Sequence, residues 1–226
     1  MDNFLVNFNF KHIDSAATNL LICPDQYVSI YNLGQAVQTR TYDSISYNYD
    51  TKGSPICANK RQNTIAIILE SPHADEYEFV NGVLVPNGPL CGKWNDFASL
   101  FDSAIKSSIL NSLIQNSITY NIAFVNAVQY QCSLGKPLSG KNSYQNQKNK
   151  NVINCWYQGF NLDLKQRLIA LNPTIIINLS GKNASICNQI TNMISNPNNG
   201  LKAIPYTIGI HPSVWRCKKN SSKLIE

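Results

Sequence analysis

Four apolar runs rich in β-branched residues constrain the fold of this chain more than any other feature. They cover Thr64 to Leu69, Tyr120 to Val125, Thr174 to Leu179 and Ala203 to Ile210. Polar residues, glycine or proline bound each run, as is typical of buried strands. Between them, apolar residues recur at helical spacing in Asn95 to Ile114 and Asn154 to Leu171. Alternating strands and helices predict an α/β fold, a three-layer sandwich around a central four-stranded, mainly parallel sheet.

The remaining segments are less regular. The Tyr-rich stretch Thr41 to Tyr49 is compatible with a strand, a ribbon or a loop, and the polar segment Ser133 to Lys150 predicts a surface loop. We therefore expect one domain over residues 1–226, with 1–60 as a less regular N-terminal extension packed on it.

Charge and cysteine usage indicate the class of partner and the compartment. Nineteen Lys and Arg against thirteen Asp and Glu give a net charge of +6, which favours an anionic partner such as nucleic acid. The seven cysteines stand singly, without a C-x-x-C pair, and predict reduced thiols and no metal or cofactor. No run approaches the roughly twenty apolar residues of a membrane span. We expect a cytoplasmic monomer without membrane association.

Polar segments follow the four apolar runs directly. They read Glu70-Ser71-Pro72-His73, Asn126-Ala127, Ser180-Gly181-Lys182-Asn183 and His211-Pro212-Ser213. Because parallel sheets bind their ligands at the carboxyl ends of the strands, these segments are the predicted functional site.

The order and spacing of these segments resemble the motifs of the uracil-DNA glycosylase superfamily, most closely those of its thermostable bacterial and archaeal branch. Leu69-Glu70-Ser71-Pro72-His73 matches that branch's Gly-Glu-Ala-Pro-Gly motif, and Asn126 stands where the family has the Asn that reads the base. Three further motifs, Leu-x-Pro, Gly-x-x-Ala and His-Pro-Ser, are matched by Leu171-Asn172-Pro173, Gly181-Lys182-Asn183-Ala184 and His211-Pro212-Ser213. The resemblance spans roughly residues 62–217 and implies a uracil-DNA-glycosylase-like fold that flips a base out of DNA.

Glu70 and His211 are the predicted catalytic pair. Breaking an N-glycosidic bond builds positive charge on the sugar and negative charge on the departing base. A carboxylate at Glu70 would stabilise the sugar and orient or deprotonate the attacking water, while His211 would hydrogen-bond a carbonyl of the base. The Asn126 amide both donates and accepts, which suits the Watson–Crick edge of a flipped pyrimidine. His73 is a second candidate acid or base, or simply a turn residue.

Further residues are assigned to the base and to the DNA backbone. Besides Asn126, we expect base contacts from Leu90, Ser71 and His73. Phosphate contacts are expected from Ser180, Gly181, Lys182, Asn183 and Ser213, at a predicted helix start. A wedge or DNA contact is expected from Val214, Trp215 and Arg216. Structural alternatives remain open: a cap for Glu70 or Asn126, loop packing for His211 and a core position for Trp215.

The chain departs from the family at two places. Pro89-Leu90-Cys91-Gly92 stands where the thermostable branch has a Phe that stacks on uracil, so the base pocket is expected to be wider, with Tyr77, Phe79 or Trp94 as substitutes for the missing ring. That branch also binds an iron–sulfur cluster through four cysteines, of which only Cys155 has a counterpart position here. We therefore expect no cluster, and Cys91, Cys132 and Cys187 as packed or free thiols.

The sequence predicts a monofunctional DNA glycosylase, a hydrolase that leaves an abasic site. The altered stacking segment favours a larger modified pyrimidine, such as glucosylated hydroxymethylcytosine in phage DNA, which would make the protein part of antiphage defence. Uracil removal in base excision repair is the nearest alternative. A non-catalytic nucleic-acid-binding module of the same fold is the third.

Overall fold

The computed structural model describes most of the chain. The residues it describes are 22–38, 40–72, 76–81, 83–86, 88, 90, 93–130, 132, 150–181, 185–201, 203–212, 215 and 224–226. Ten strands lie among them: β1 Gln26–Tyr31, β2 Asp43–Ser44, β3 Tyr47–Tyr49, β4 Pro55–Cys57, β5 Thr64–Leu69, β6 Tyr77–Val80, β7 Val83–Pro86, β8 Tyr120–Asn126, β9 Ile175–Asn178 and β10 Tyr206–Ile208. The α-helices among them are α1 Trp94–Lys106, α2 Asn161–Leu171 and α3 Ser185–Ser195.

Six of the strands form one mainly parallel sheet in the order β10-β9-β5-β8-β1-β2. The four strands predicted from the apolar runs, β10, β9, β5 and β8, are mutually parallel neighbours. β5 lies between β8 and β9 and is buried along its whole length, which explains its uninterrupted apolar sequence. The protein therefore has a mixed α/β architecture.

Helices cover the sheet on both faces. On one face, Ile68 and Val125 pack against Leu164 and Leu168 of α2 and against residues of α3. On the other face, Phe124 packs against residues of α1, with the rings of Phe97 and Phe124 5.1 Å apart. Since side chains of a strand alternate between the two faces, Asn126 points to the same face as Phe124.

The N-terminal segment is more regular than its sequence indicates, and the sheet has six strands where four were expected. β1 pairs antiparallel with β8, and β2 pairs antiparallel with β1, so the two strands extend the sheet at its β8 edge. β1 reads Gln-Tyr-Val-Ser-Ile-Tyr, and its polar residues Gln26 and Ser29 are buried together with the apolar ones. Because of these polar residues, the sequence does not show the continuous apolar run that would predict a buried strand.

The long helix predicted over Asn154 to Leu171 is interrupted. Residues 150–155 are helical, Trp156–Phe160 forms a π-turn, and α2 follows at Asn161. Gly159 has φ 128°, a conformation that side chains disfavour, and it kinks the helix there. Within the described part of the chain, no helix is both long enough and apolar enough to cross a bilayer.

Candidate functional site at the carboxyl edge of the sheet

The described residues of the polar segments predicted from the sequence lie along one edge of the sheet. The strand order places His211, Ser180, Glu70 and Asn126 in succession there, after β10, β9, β5 and at the end of β8. Leu69 is the register partner of Asn126, so Glu70 follows directly beside it. Neighbouring strands lie about 4.8 Å apart, and β9 separates β10 from β5, so the backbones leading to Glu70 and His211 are roughly 10 Å apart.

Asn126 is 2% exposed, and its two carbonyl groups differ in their bonding. The backbone oxygen accepts a 3.0 Å hydrogen bond from Nη2 of Arg167. The side-chain Oδ1 is buried and has no hydrogen-bond partner among the described residues. A buried amide oxygen without a partner costs about 1–3 kcal/mol, and a ligand that donates to it would recover that energy.

Glu70 is buried and held by the neighbouring strand. Its backbone oxygen accepts from the N–H of Val128 at 3.0 Å, and that of Leu69 accepts from Ala127 at 2.8 Å. These bonds continue the β5–β8 pairing beyond the strands and fix the position of Glu70 beside Asn126. The adjacent Ser71 has a buried hydroxyl with no hydrogen-bond partner in the described part of the chain. Polar atoms therefore concentrate where β5 and β8 end.

A buried ion cluster lies behind Asn126. Arg167, which is 2% exposed, donates to Asp163 at 2.8 Å and to both carboxylate oxygens of Asp25 at 2.9 and 2.7 Å. Tyr47 Oη also donates to Asp25, at 3.0 Å. Burial alone would lower the pKa of Arg167, but Asp163 and Asp25 outweigh it and raise the pKa. The guanidinium is therefore a permanent cation that holds the end of β8.

Burial also raises the pKa values of two neighbouring groups, Asp163 and Tyr47. Burial raises the pKa of the Asp163 carboxyl, and the nearby Arg167 offsets only part of that increase. Burial also raises the pKa of Tyr47 well above its usual value, and the nearby Asp25 adds to that shift. Tyr47 therefore remains a neutral hydrogen-bond donor, which suits a supporting role.

Ser180 is engaged by a second buried asparagine. Its N–H and its hydroxyl both donate to Oδ1 of Asn178, at 3.2 and 2.7 Å. Phosphate oxygens need donors, and both donors of Ser180 are used within the protein. Gly181 follows with φ 115°, a conformation that favours glycine. The geometry of Ser180 thus matches a structural role better than the predicted phosphate contact.

His211 and Trp215 lie beyond β10 in different environments. His211 is partly buried. Trp215 is completely buried; its Nε1 donates to the backbone oxygen of Ile210 at 2.8 Å, and its ring stacks on Phe97 at 5.5 Å. This is the core position held open as an alternative for Trp215, so we assign it no wedge role.

Leu90 is 3% exposed and belongs to the core on the α1 face of the sheet. Its backbone N–H donates to Oε1 of the buried Glu76 at 2.9 Å, and its φ of 56° is unusual for a leucine. The buried Glu76 side chain thus holds Leu90 in this unusual backbone conformation.

Several predicted site residues lie outside the described residues. They are His73, Lys182, Asn183, Ser213, Val214 and Arg216. Cys91 lies outside as well, whereas Cys132, Cys155 and Cys187 are buried and form no disulfide among the described residues. Among the described residues, no group of three or more His, Cys, Asp or Glu side chains is arranged to hold a metal ion.

Four polar residues at this edge were not predicted from the sequence. Asn178 ends an otherwise apolar strand, and Asp163 and Arg167 stand four residues apart on α2, signals that were available in the sequence. Gln26 is buried at the start of β1 beside Phe124, and no sequence pattern indicated that it would be buried.

No protein-family model matches the chain, and a search of curated proteins found no match.

Proposed function

We propose that the protein is a DNA glycosylase of the uracil-DNA-glycosylase type, which hydrolyses the N-glycosidic bond of a flipped base and leaves an abasic site. The observation that carries the proposal is the pairing of Glu70 with Asn126. Both residues are buried and lie where two neighbouring parallel strands end: Asn126 is the last residue of β8, and Glu70 directly follows Leu69, the register partner of Asn126. The order of the motifs along the chain supports the same assignment.

The reaction needs one group for the sugar and one for the base. The glycosidic bond breaks with its electron pair going to the base, while water adds to the anomeric carbon of the sugar and loses a proton. In this proposal a carboxylate at Glu70 stabilises the cationic sugar and receives that proton. His211, which follows the strand two places away, hydrogen-bonds the base as negative charge develops on it.

Asn126 supplies base recognition. An amide oxygen that is buried without a partner among the described residues suits an N–H donor on the base. Arg167 holds the backbone oxygen of Asn126, which fixes the backbone position from which the side chain extends. Restricting a reading group in this way favours discrimination between bases over tolerance.

The proposed substrate is a modified pyrimidine, with glucosylated hydroxymethylcytosine in phage DNA as the leading candidate. Leu90 stands where the family's stacking ring is expected, and leucine supports a planar base less firmly than an aromatic ring does. We infer that the pocket accepts a base carrying a bulky substituent. Such an activity would act in defence against phage.

Abasic-site formation tests the proposal. Matched oligonucleotides carrying uracil, hydroxymethylcytosine or glucosylated hydroxymethylcytosine, single- and double-stranded, are incubated with the protein and cleaved with alkali. We expect cleavage of the glucosylated DNA and its loss in Glu70→Gln. Glu78→Gln, at an exposed carboxylate on β6, is the matched control and retains activity.

The other outcomes are equally informative. Cleavage restricted to uracil DNA would make the protein a repair glycosylase and overturn the proposed substrate. Binding without cleavage of any of the three DNAs would contradict the catalytic assignment and favour a nucleic-acid-binding module.

A further inference from the structure

A cation–aromatic stack lies on the same face of the sheet as Asn126. The guanidinium carbon of Arg40 is 4.2 Å from the ring centre of Tyr42 and 5.3 Å from that of Trp94. Tyr42 is 51% exposed, whereas Arg40 and Trp94 are partly buried. None of these residues belongs to the motifs that suggested the function. We call these three residues the Arg40 stack.

The Arg40 stack is connected to the site through Phe124. Trp94 makes an edge-to-face contact with Phe124, with ring centres 6.5 Å apart. Phe124 precedes Asn126 by two residues, so the two side chains share one face of the sheet. Tyr42 directly precedes β2, which lies two strands, roughly 10 Å, to the side of β8. The register places Ser44 level with Phe124, so Tyr42 lies about four residues, roughly 13 Å, back along the strands from Asn126.

Close packing holds the ring of Tyr42 in place despite its exposure. The backbone of Gly88 approaches it so closely that a Cβ at Gly88 would lie 2.6 Å from the ring carbon Cε1. The same Cβ would lie 2.6 Å from Oε1 of the buried Gln26. The edge of the Tyr42 ring therefore packs against the backbone at Gly88, which restricts its rotation and lowers the conformational entropy that binding to the ring would cost.

The chemistry of the Arg40 stack fits a single strand of nucleic acid. Exposed aromatic rings stack on unpaired bases of any sequence, and a neighbouring arginine binds the phosphates between them. Lys93, exposed at the start of α1 beside Trp94, adds a second cation. The net charge of +6 favours the same partner.

We propose that the Arg40 stack binds the DNA strand beside the flipped nucleotide, with one base on the exposed face of Tyr42 and a phosphate at Arg40. This inference rests on the proposed function for the identity of the strand. It adds a binding surface, formed by the N-terminal segment and α1, that none of the motifs contains. It also assigns a role to the segment before β5, which forms the edge of the sheet.

Binding of unmodified DNA tests the inference independently of catalysis. A fluorescein-labelled single-stranded 20-mer without modified bases is titrated with the wild-type chain, and anisotropy is followed at several salt concentrations. We expect Tyr42→Ala to weaken binding about fivefold to a hundredfold, the range of one base–aromatic stack. Tyr42→Phe, which keeps the ring, retains the affinity of the wild type.

Arg40→Met tests the phosphate contact. Loss of one phosphate contact with single-stranded DNA lowers the slope of log affinity against log salt by about 0.7. Lys52→Met removes the same charge from the exposed turn between β3 and β4 and is expected to leave the slope nearly unchanged. Circular dichroism establishes that each variant is folded.

Equal effects of Arg40→Met and Lys52→Met would overturn the inference, since binding would then follow net charge alone. Wild-type affinity in Tyr42→Ala, or no binding by the wild type, would overturn it as well. None of these results depends on abasic-site formation, so the proposed activity can fail while the binding surface stands, or the reverse.

Discussion

Arg167 on α2 donates from one nitrogen, Nη1, to both carboxylate oxygens of Asp25, a residue 142 positions earlier in the chain. Its other terminal nitrogen, Nη2, donates to the backbone oxygen of Asn126. One buried guanidinium therefore joins the segment before β1, the helix α2 and the end of β8. The residue proposed to read the base depends on this contact for its position.

Arg167→Met is expected to destabilise the protein by about 3–5 kcal/mol, because it leaves Asp25 and Asp163 buried without their cation. Urea unfolding measures the loss. The control is Arg61→Met, which breaks a half-exposed ion pair with Asp43 and a cation–π contact with Tyr27 and should cost at most about 2 kcal/mol. Equal losses in the two variants would mean that burial does not set the energy of the Arg167 cluster.

Arg167→Lys tests whether the positive charge at residue 167 is sufficient or whether the hydrogen-bonding geometry of arginine is also needed. Lysine keeps the cation but cannot reach two carboxylates and a backbone oxygen with one planar group. We expect it to recover part of the stability lost in Arg167→Met, yet to reduce discrimination between glucosylated hydroxymethylcytosine and uracil, whose Watson–Crick edges differ, in the cleavage assay. Unchanged discrimination would show that Arg167 supports only the fold.

Asp102 on α1 is expected to make the folded protein less stable at acid pH. Burial alone would raise its pKa, but hydrogen bonds from Lys106, Tyr31 and the N–H of Gly34 outweigh it and lower the pKa. A carboxyl with a lower pKa in the folded state stabilises above its unfolded pKa, near 3.8. That contribution is lost as the pH falls below about 4 towards the folded pKa.

Urea midpoints at pH 7, 5 and 3 check the Asp102 effect. Asp102→Asn should lower the urea midpoint at pH 7. The midpoint of this variant should then fall less between pH 5 and pH 3 than that of the wild type. Tyr31→Phe removes the 2.8 Å hydrogen bond to Asp102 and should shift that loss to higher pH. An acid profile identical to that of the wild type in both variants would exclude Asp102 as its source.

The sequence predicted the elements whose apolar pattern is local and missed those that depend on distant partners. β5 begins and ends at the predicted residues because all of its side chains are buried. β1 was missed because its buried polar residues, Gln26 and Ser29, disrupt the apolar pattern. β2 is only two residues long and exists because it pairs with β1. Neither β1 nor β2 contains enough apolar residues to be predicted from its own sequence alone.

The candidate site shows the same division. Glu70 and Asn126 were predicted because they end apolar strands of a parallel sheet, a position that sequence reveals. The contact between Arg167 and Asp25 was not predicted, since no periodicity links residues so far apart. Trp215 belongs to the core because the segment after β10 turns its ring onto Phe97, and that turn is not encoded in a local pattern.

Gly88→Ala is expected to be more harmful than Gly53→Ala, although both glycines have positive φ, 95° and 77°. Alanine costs roughly 1–3 kcal/mol at either position for the backbone conformation. A Cβ at Gly53 meets nothing within 4 Å, whereas one at Gly88 collides with Tyr42 and Gln26. Urea unfolding should show the larger loss for Gly88→Ala, and DNA binding should weaken only in that variant. Equal losses would indicate that the chain at Gly88 moves aside freely.

Asn126 and Asn178 form a matched pair of buried asparagines at the ends of strands. Asn178 is saturated: Nδ2 faces the backbone oxygen of Cys187 at 3.2 Å and Oγ1 of Thr191 at 3.3 Å, and Oδ1 accepts twice from Ser180. Oδ1 of Asn126 has no such partner among the described residues. If unpaired polar atoms are kept for a ligand, the two residues should respond oppositely to truncation.

Asn178→Ala is expected to cost roughly 2–4 kcal/mol, since it leaves several buried groups unpaired, while cleavage by the folded fraction persists. Asn126→Ala removes a costly unpaired oxygen, so stability should change by less than about 1 kcal/mol. The same substitution should abolish selective cleavage of modified DNA. Urea unfolding and abasic-site formation, measured on both variants, separate the roles. A large loss of stability in Asn126→Ala would mean that its amide serves the fold, and base reading would then have to be assigned elsewhere.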